Sequence, residues 1–143
     1  MDKVQVRKVL ALQATEMGRT SIYDAFQDLK DIQAEILTFN DYAVYRGLPE
    51  KDFFAGSQTQ LDHLFQYLSE KFTGEFVELT IVIYSPVNLT EELEFNGIIN
   101  ALCLNLDDTC GIAISMVKAT GGTFVFSENL GRLRKNVDFL LSS

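Results

Sequence analysis

The residues of this chain that could carry proton, metal or nucleophilic chemistry are one histidine, two cysteines and twenty carboxylates. His63 is the single imidazole. It sits within the apolar series Leu61, Leu64, Phe65, Leu68 and Phe72, whose spacing predicts a helix. At ~100° per residue, His63 falls almost opposite that stripe. It therefore faces solvent, where a general base lacks an orienting shell. With one histidine and no Cys-x-x-Cys pair, the common zinc-site patterns are absent. Cys103 and Cys110 flank an expected hairpin turn at Asp107-Asp108. Strand parity puts them on opposite faces, which a disulfide cannot span. They are read as two unbridged, partly buried thiols.

The carboxylate clusters have structural explanations. Glu91, Glu92 and Glu94 suit the positive end of a helical turn capped by Thr90, and Asp107-Asp108 suits a tight turn. A divalent cation would need several more oxygen ligands than either cluster supplies. Gly18-Arg19-Thr20-Ser21 precedes a helix and could hold an anion, although a capped turn needs the same residues. No Walker-type loop, Gly-x-Gly-x-x-Gly, Gly-x-Ser-x-Gly or His-Glu-x-x-His sequence occurs. The reading is no catalytic residue, no metal and no cofactor.

Charge narrows the partners. The net charge is −8, but residues 1–19 and 132–143 each carry +2, which leaves −12 between them. Such a middle repels phosphate backbones and anionic membrane surfaces, so nucleic acid and membrane are excluded as partners. The longest apolar stretches, such as 81–84, fall far short of the ~18 residues of a spanning helix. Lys3, Arg7 and Lys8 interrupt any secretory apolar region, and a cytoplasmic protein is expected.

Length and 47% hydrophobic content fit one globular domain over residues 1–143. Residues 4–17 combine strand parity with good helix formers before Gly18, and a helix is favoured. Ile22, Phe26, Leu29, Ile32 and Ile36 predict a second helix opened by Ser21. The third covers Leu61 to Phe72, with Ser57 and Gln60 as its capping box. Residues 76–84 then turn to strand chemistry. Two hairpins should follow: 99–106 with 111–118, and a second turning on Gly121-Gly122 into 123–126. Ser127 would cap a final helix with the stripe Leu130, Leu133, Val137 and Leu140. The expected fold is α+β, with N-terminal helices, a four-stranded antiparallel meander and a C-terminal helix on one sheet face.

Two surfaces stand out as binding candidates. The connector 38–56 is long and carries Tyr42, Tyr45, Arg46, Phe53 and Phe54, residue types that anchor interfaces or fold as a lid. The outer face of the last helix presents Arg132, Lys135 and Phe139, a basic aromatic patch on an otherwise acidic chain. Residues 102–133, through Cys103-Leu104-Asn105-Leu106-Asp107-Asp108, Ile112, Ile114 and Leu130-Gly131, locally resemble the first strands of acidic type III secretion chaperones. That short resemblance implies a chaperone-like role. The leading functional expectation is a non-catalytic protein–protein interaction domain: inhibitor, immunity factor, adaptor or chaperone-like, with a protein partner or itself. The alternatives are a small-ligand or small enzyme domain with a pocket under 38–56, and a structural subunit of a homo-oligomer such as a homodimer.

Overall fold

The computed structural model describes residues 6–105 and 110–142. The first element corrects the expected helix. Residues Val6–Gln13 form strand β1, in which Val9 to Leu12 are fully buried. A strand covered on both faces is a continuous apolar run, and periodicity alone does not separate such a run from a buried helix. Gly18 adopts φ 63°, but it opens the next element instead of ending this one. That element, helix α1 (Arg19–Phe26), is shorter than expected, and a 3-10 turn continues it through Leu29. Ile22, Phe26, Leu29 and Ile32 all bury on one side as their spacing requires, while Ile36 belongs to strand β2 (Glu35–Phe39).

The chain then forms β3 (Val44–Arg46), a 3-10 turn at Lys51–Phe53 and the two-residue strand β4 (Thr59–Gln60). The connector 38–56 is therefore not a structureless loop. Helix α2 (Leu61–Lys71) carries the expected stripe, with Leu61, Leu64 and Leu68 buried. It does not use the Ser57–Gln60 capping box. The Asp41 carboxylate instead accepts from the Gln60 backbone N–H at 2.9 Å. Strand β5 (Phe76–Ile83) matches its expectation, and the two-residue β6 (Val87–Asn88) pairs with β4 in a small parallel ribbon.

After β7 (Gly97–Cys103) the expected hairpin gives way to helix α3 (Cys110–Thr120). Cys110, Ala113, Met116 and Val117 bury at three- and four-residue steps, a helical period hidden by the apolar residues between them. The Asp107-Asp108 turn lies outside the described residues. Cys103 and Cys110 both belong to the same buried layer, contrary to the parity argument, and no disulfide joins them. Strand β8 (Phe124–Phe126) runs parallel to β7, so the second hairpin is also replaced by a crossover. The side chain of Asn129, not Ser127, accepts from Gly131 at the closing 3-10 turn, and α4 (Leu133–Leu141) follows with Leu133, Val137 and Leu140 buried.

Among the described residues, the main sheet has six strands in the order β3-β2-β1-β5-β7-β8. Every pairing is parallel except β2 with β3. Helices α2 and α3 pack with one face through Val9, Ala11, Leu79, Ile81 and Ile99. Helices α1 and α4 pack with the other through Leu10, Leu12, Val82 and Leu102. This is a three-layer α/β fold, which overturns the antiparallel α+β meander. It also removes the structural basis of the secretion-chaperone resemblance, since residues 102–133 begin in a parallel strand–helix–strand unit. Among the described residues, no helix is long and apolar enough to cross a membrane.

The return from α3 to β8 depends on close backbone approach. A Cβ on Gly122 would stand 1.9 Å from the Ile99 carbonyl oxygen, whereas one on Gly111 in α3 would meet nothing within 4 Å. We expect Gly122→Ala to destabilise the fold by about 1–3 kcal/mol through forced displacement of β7. Gly111→Ala should be neutral or stabilising by up to about 1 kcal/mol. Urea unfolding of the two variants checks the opposite signs.

Candidate functional site at the sheet switch point

In a doubly wound sheet, ligands bind beyond the carboxyl ends of the strands, where the strand order reverses direction. Here that point lies between β1, whose chain leaves toward β2, and β5, whose chain leaves toward β7. The residues there are Gln13 and Thr15 after the apolar run of β1, Tyr84 and Ser85 after β5, and Thr59 from β4. All five are buried, with Gln13 and Thr15 at 0% exposure.

Gln13 holds this cluster together. Its carboxamide oxygen accepts from the backbone N–H groups of Tyr84 at 2.9 Å and Ser85 at 3.0 Å. Its carboxamide nitrogen donates to the Thr59 hydroxyl at 3.0 Å and the Ser85 carbonyl at 3.2 Å. Both donor hydrogens and both acceptor lone pairs of the amide are thereby matched to partners. The Thr15 hydroxyl donates to that of Ser85 at 2.9 Å. The Tyr84 hydroxyl accepts from the Thr15 backbone N–H at 2.6 Å and donates to the Thr15 carbonyl at 3.0 Å. Burial pushes the Tyr84 phenol above its ordinary range, against the opposing hydrogen bonds of Thr15, and keeps it neutral. Among the described residues, no buried side-chain polar atom lacks a partner.

The chemistry of this arrangement is restricted. Hard cations need several oxygen ligands, usually with carboxylates among them. The cluster has no carboxylate, and an N–H₂ group occupies its middle. No trio of His, Cys, Asp or Glu among the described residues is placed to hold a metal. The switch point is therefore filled by the protein's own amide and hydroxyl groups.

A second ring of polar contacts braces the first. Asp62, in the first turn of α2, accepts from the Thr90 hydroxyl at 2.7 Å and the backbone N–H groups of Thr90 and Glu91 at 3.1 and 3.2 Å. The Gln60 amide also donates to it. Burial raises the Asp62 pKa, but these hydrogen bonds outweigh it and bring the carboxyl down to about 2. The expected helical turn at Thr90 is absent, because Thr90 binds the end of α2 instead. Glu91, Glu92 and Glu94 are exposed on the chain beyond it, and His63 is exposed on α2, as its helical position requires.

The residues singled out from sequence do not meet at this cluster. Tyr42 and Tyr45 are 75% and 47% exposed on the β2–β3 hairpin. Arg46 pairs with Glu35 at 3.1 Å. Phe53 is half-buried, with its ring 5.8 Å from that of Tyr45. Phe54 is a core residue packed near Phe26 and Tyr23, so it cannot line a binding surface. Lys135 and Phe139 are exposed on α4, and Arg132 is exposed on the 3-10 turn before it, in the layer shared with α1. The exposed Gly18–Ser21 segment shares its surface depression with the carboxylate-bearing Glu16. Sequence reasoning missed Gln13, although a polar residue ending the run Val9–Leu12 was a signal.

No family model matches the sequence, and no curated protein matches it. Among solved structures, the chain is similar to the crystal structure of the ArnB paralog VWA2 from Sulfolobus acidocaldarius, with a TM-score of 0.60 and 16% identity. The match covers 95% of this chain and 44% of that one, so the chain spans less than half of its neighbour's length. At that identity the likeness defines the fold alone, a VWA-like α/β architecture.

The Gln13 cluster can be tested by removal. In Gln13→Leu, the buried N–H groups of Tyr84 and Ser85 lose their acceptor and the Ser85 carbonyl loses a donor. Each orphaned group costs about 1–3 kcal/mol. We expect a loss of at least about 3 kcal/mol in chemical denaturation. An unchanged midpoint would show that the cluster does not exist in solution.

Proposed function

We propose that the chain is a non-catalytic protein–protein interaction domain. The observation that supports this reading is the filled switch point. The place where a parallel α/β sheet ordinarily receives a ligand is occupied by Gln13, Thr15, Thr59, Tyr84 and Ser85, joined in one hydrogen-bond network. Recognition then falls to the outer surface, where Tyr42 and Tyr45 stand exposed on a braced hairpin. Tyr is a residue type that carries interface energy, because its ring is large and has few rotamers. A fold alone does not assign function, and the argument rests on the site.

The proposal extends to the partner and the setting. The acidic middle of the chain opposes phosphate-rich partners, so the partner is a protein. The buried thiols Cys103 and Cys110 suit a reducing, cytoplasmic compartment.

Thermal melting against a panel of magnesium, calcium, nucleotides and common metabolites tests the reading. A ligand present at about a hundred times its Kd stabilises by about 2.7 kcal/mol. We expect no compound to raise Tm by more than about 1 °C. A rise of about 5 °C or more would overturn the proposal in favour of a small-ligand domain.

A further inference from the structure

Three of the four connections that lead into β2, β5, β7 and β8 contain a helix: α1, α2 and α3. The connection from β5 to β7 contains none. Residues 84–96 instead form an extended strap that includes β6 and lies between α2 and α3 on their common sheet face. Parallel crossovers are usually helical, and a strap is thinner than a helix. It leaves a groove on each side.

The groove toward α2, about 530 Å³, is lined by Phe65, Leu89 and Leu93, with His63, Gln66 and Ser69 on its α2 wall, and edged by Asp62, Glu91, Glu92 and Glu94. Phe65 is held edge-on to Phe95 at a centroid distance of 5.6 Å, which fixes the floor. The groove toward α3, about 340 Å³, is lined by the same Leu89 and Leu93 with Ile112, Met116 and Ala119. One apolar strip is thus shared by two adjoining grooves, and among the described residues no Lys or Arg lines either. The acidic edge is anchored as well, since Asp62 binds the backbone at Thr90 and Glu91.

We propose that this double groove is a docking surface of the interaction domain, separate from the Tyr42–Tyr45 hairpin, and that its occupant is a basic, amphipathic protein segment. Apolar side chains of the segment would straddle Leu89 and Leu93. Its Lys and Arg residues would meet Glu91, Glu92 and Glu94. Charge complementarity selects this occupant: an apolar partner would leave the carboxylates unmatched, and an acidic one would be repelled. A second copy of the chain carries −8 and is disfavoured overall. The inference rests on the interaction-domain reading but names a surface and a partner chemistry that the reading does not.

The test uses the whole chain and two synthetic peptides of one amphipathic pattern, Lys/Leu and Glu/Leu, with binding followed by fluorescence anisotropy. We expect the Lys/Leu peptide to bind and the Glu/Leu peptide not to. The double variant Glu91→Lys/Glu92→Lys should weaken binding about tenfold or more. The charge-matched control Asp24→Lys/Asp28→Lys, on the α1 side of the sheet, should change it less than about twofold. Glu91→Gln/Glu92→Gln should fall between, and circular dichroism checks that all variants fold. Equal losses in the groove and control variants would overturn the groove while leaving an interaction domain. Failure of the Lys/Leu peptide to bind would overturn the partner chemistry. A wild-type dimer in light scattering that Glu91→Lys/Glu92→Lys dissolves would assign the groove to a second copy and overturn the foreign partner.

Discussion

Where β1 and β5 part company, the sheet can no longer satisfy its own backbone. The N–H groups of Tyr84 and Ser85 lie beyond the last ladder pair of the two strands, Leu12 with Val82, and they are buried. An unmatched buried N–H costs as much as a lost hydrogen bond, so something must accept from both. The Gln13 oxygen does so, and its nitrogen reaches Thr59 and the Ser85 carbonyl. An amide is suited to this position because it is neutral and offers donors and acceptors on one short plane. A carboxylate would place a charge in a dry site and present an oxygen to the Ser85 carbonyl.

Much of this end of the molecule follows from that amide. By fixing Thr59 it helps set the β4–β6 ribbon, where the Thr59 N–H also meets the Pro86 carbonyl at 2.9 Å. The ribbon delivers the chain directly into α2 at Leu61, and Asp41 and Asp62 brace the entry. The same bracing sets the path of residues 89–94 beside α2.

The sequence was legible where one side of an element is apolar and the other is not. The stripes of α2 and α4, and the β-rich run of β5, appear at their expected positions. Elements covered on several sides give no such contrast. Strand β1 is apolar on both faces, so its good helix formers predict a helix. In helix α3, Ile112 and Ile114 mimic an alternating pattern and predict a strand. These two signals together convert a parallel sheet into an antiparallel meander, since each removes a helix or strand from a crossover. The aromatic connector is unusual in sequence, but Phe39 and Phe54 are core, Phe53 is half-buried, and only Tyr42 and Tyr45 of its aromatics are exposed. The Gln13 cluster was out of reach of local patterns. Its partners lie 46 to 72 residues away in the chain, and only the sheet order brings them together.

The central claim is that Gln13 holds the Tyr84 and Ser85 amides inside a closed switch point. Native-state hydrogen exchange of those two amides measures it directly. The account predicts protection comparable to the core strand amides of Ile81 and Val82, because opening would require breaking the cluster. Exchange of Tyr84 and Ser85 at rates typical of exposed loop amides would contradict it.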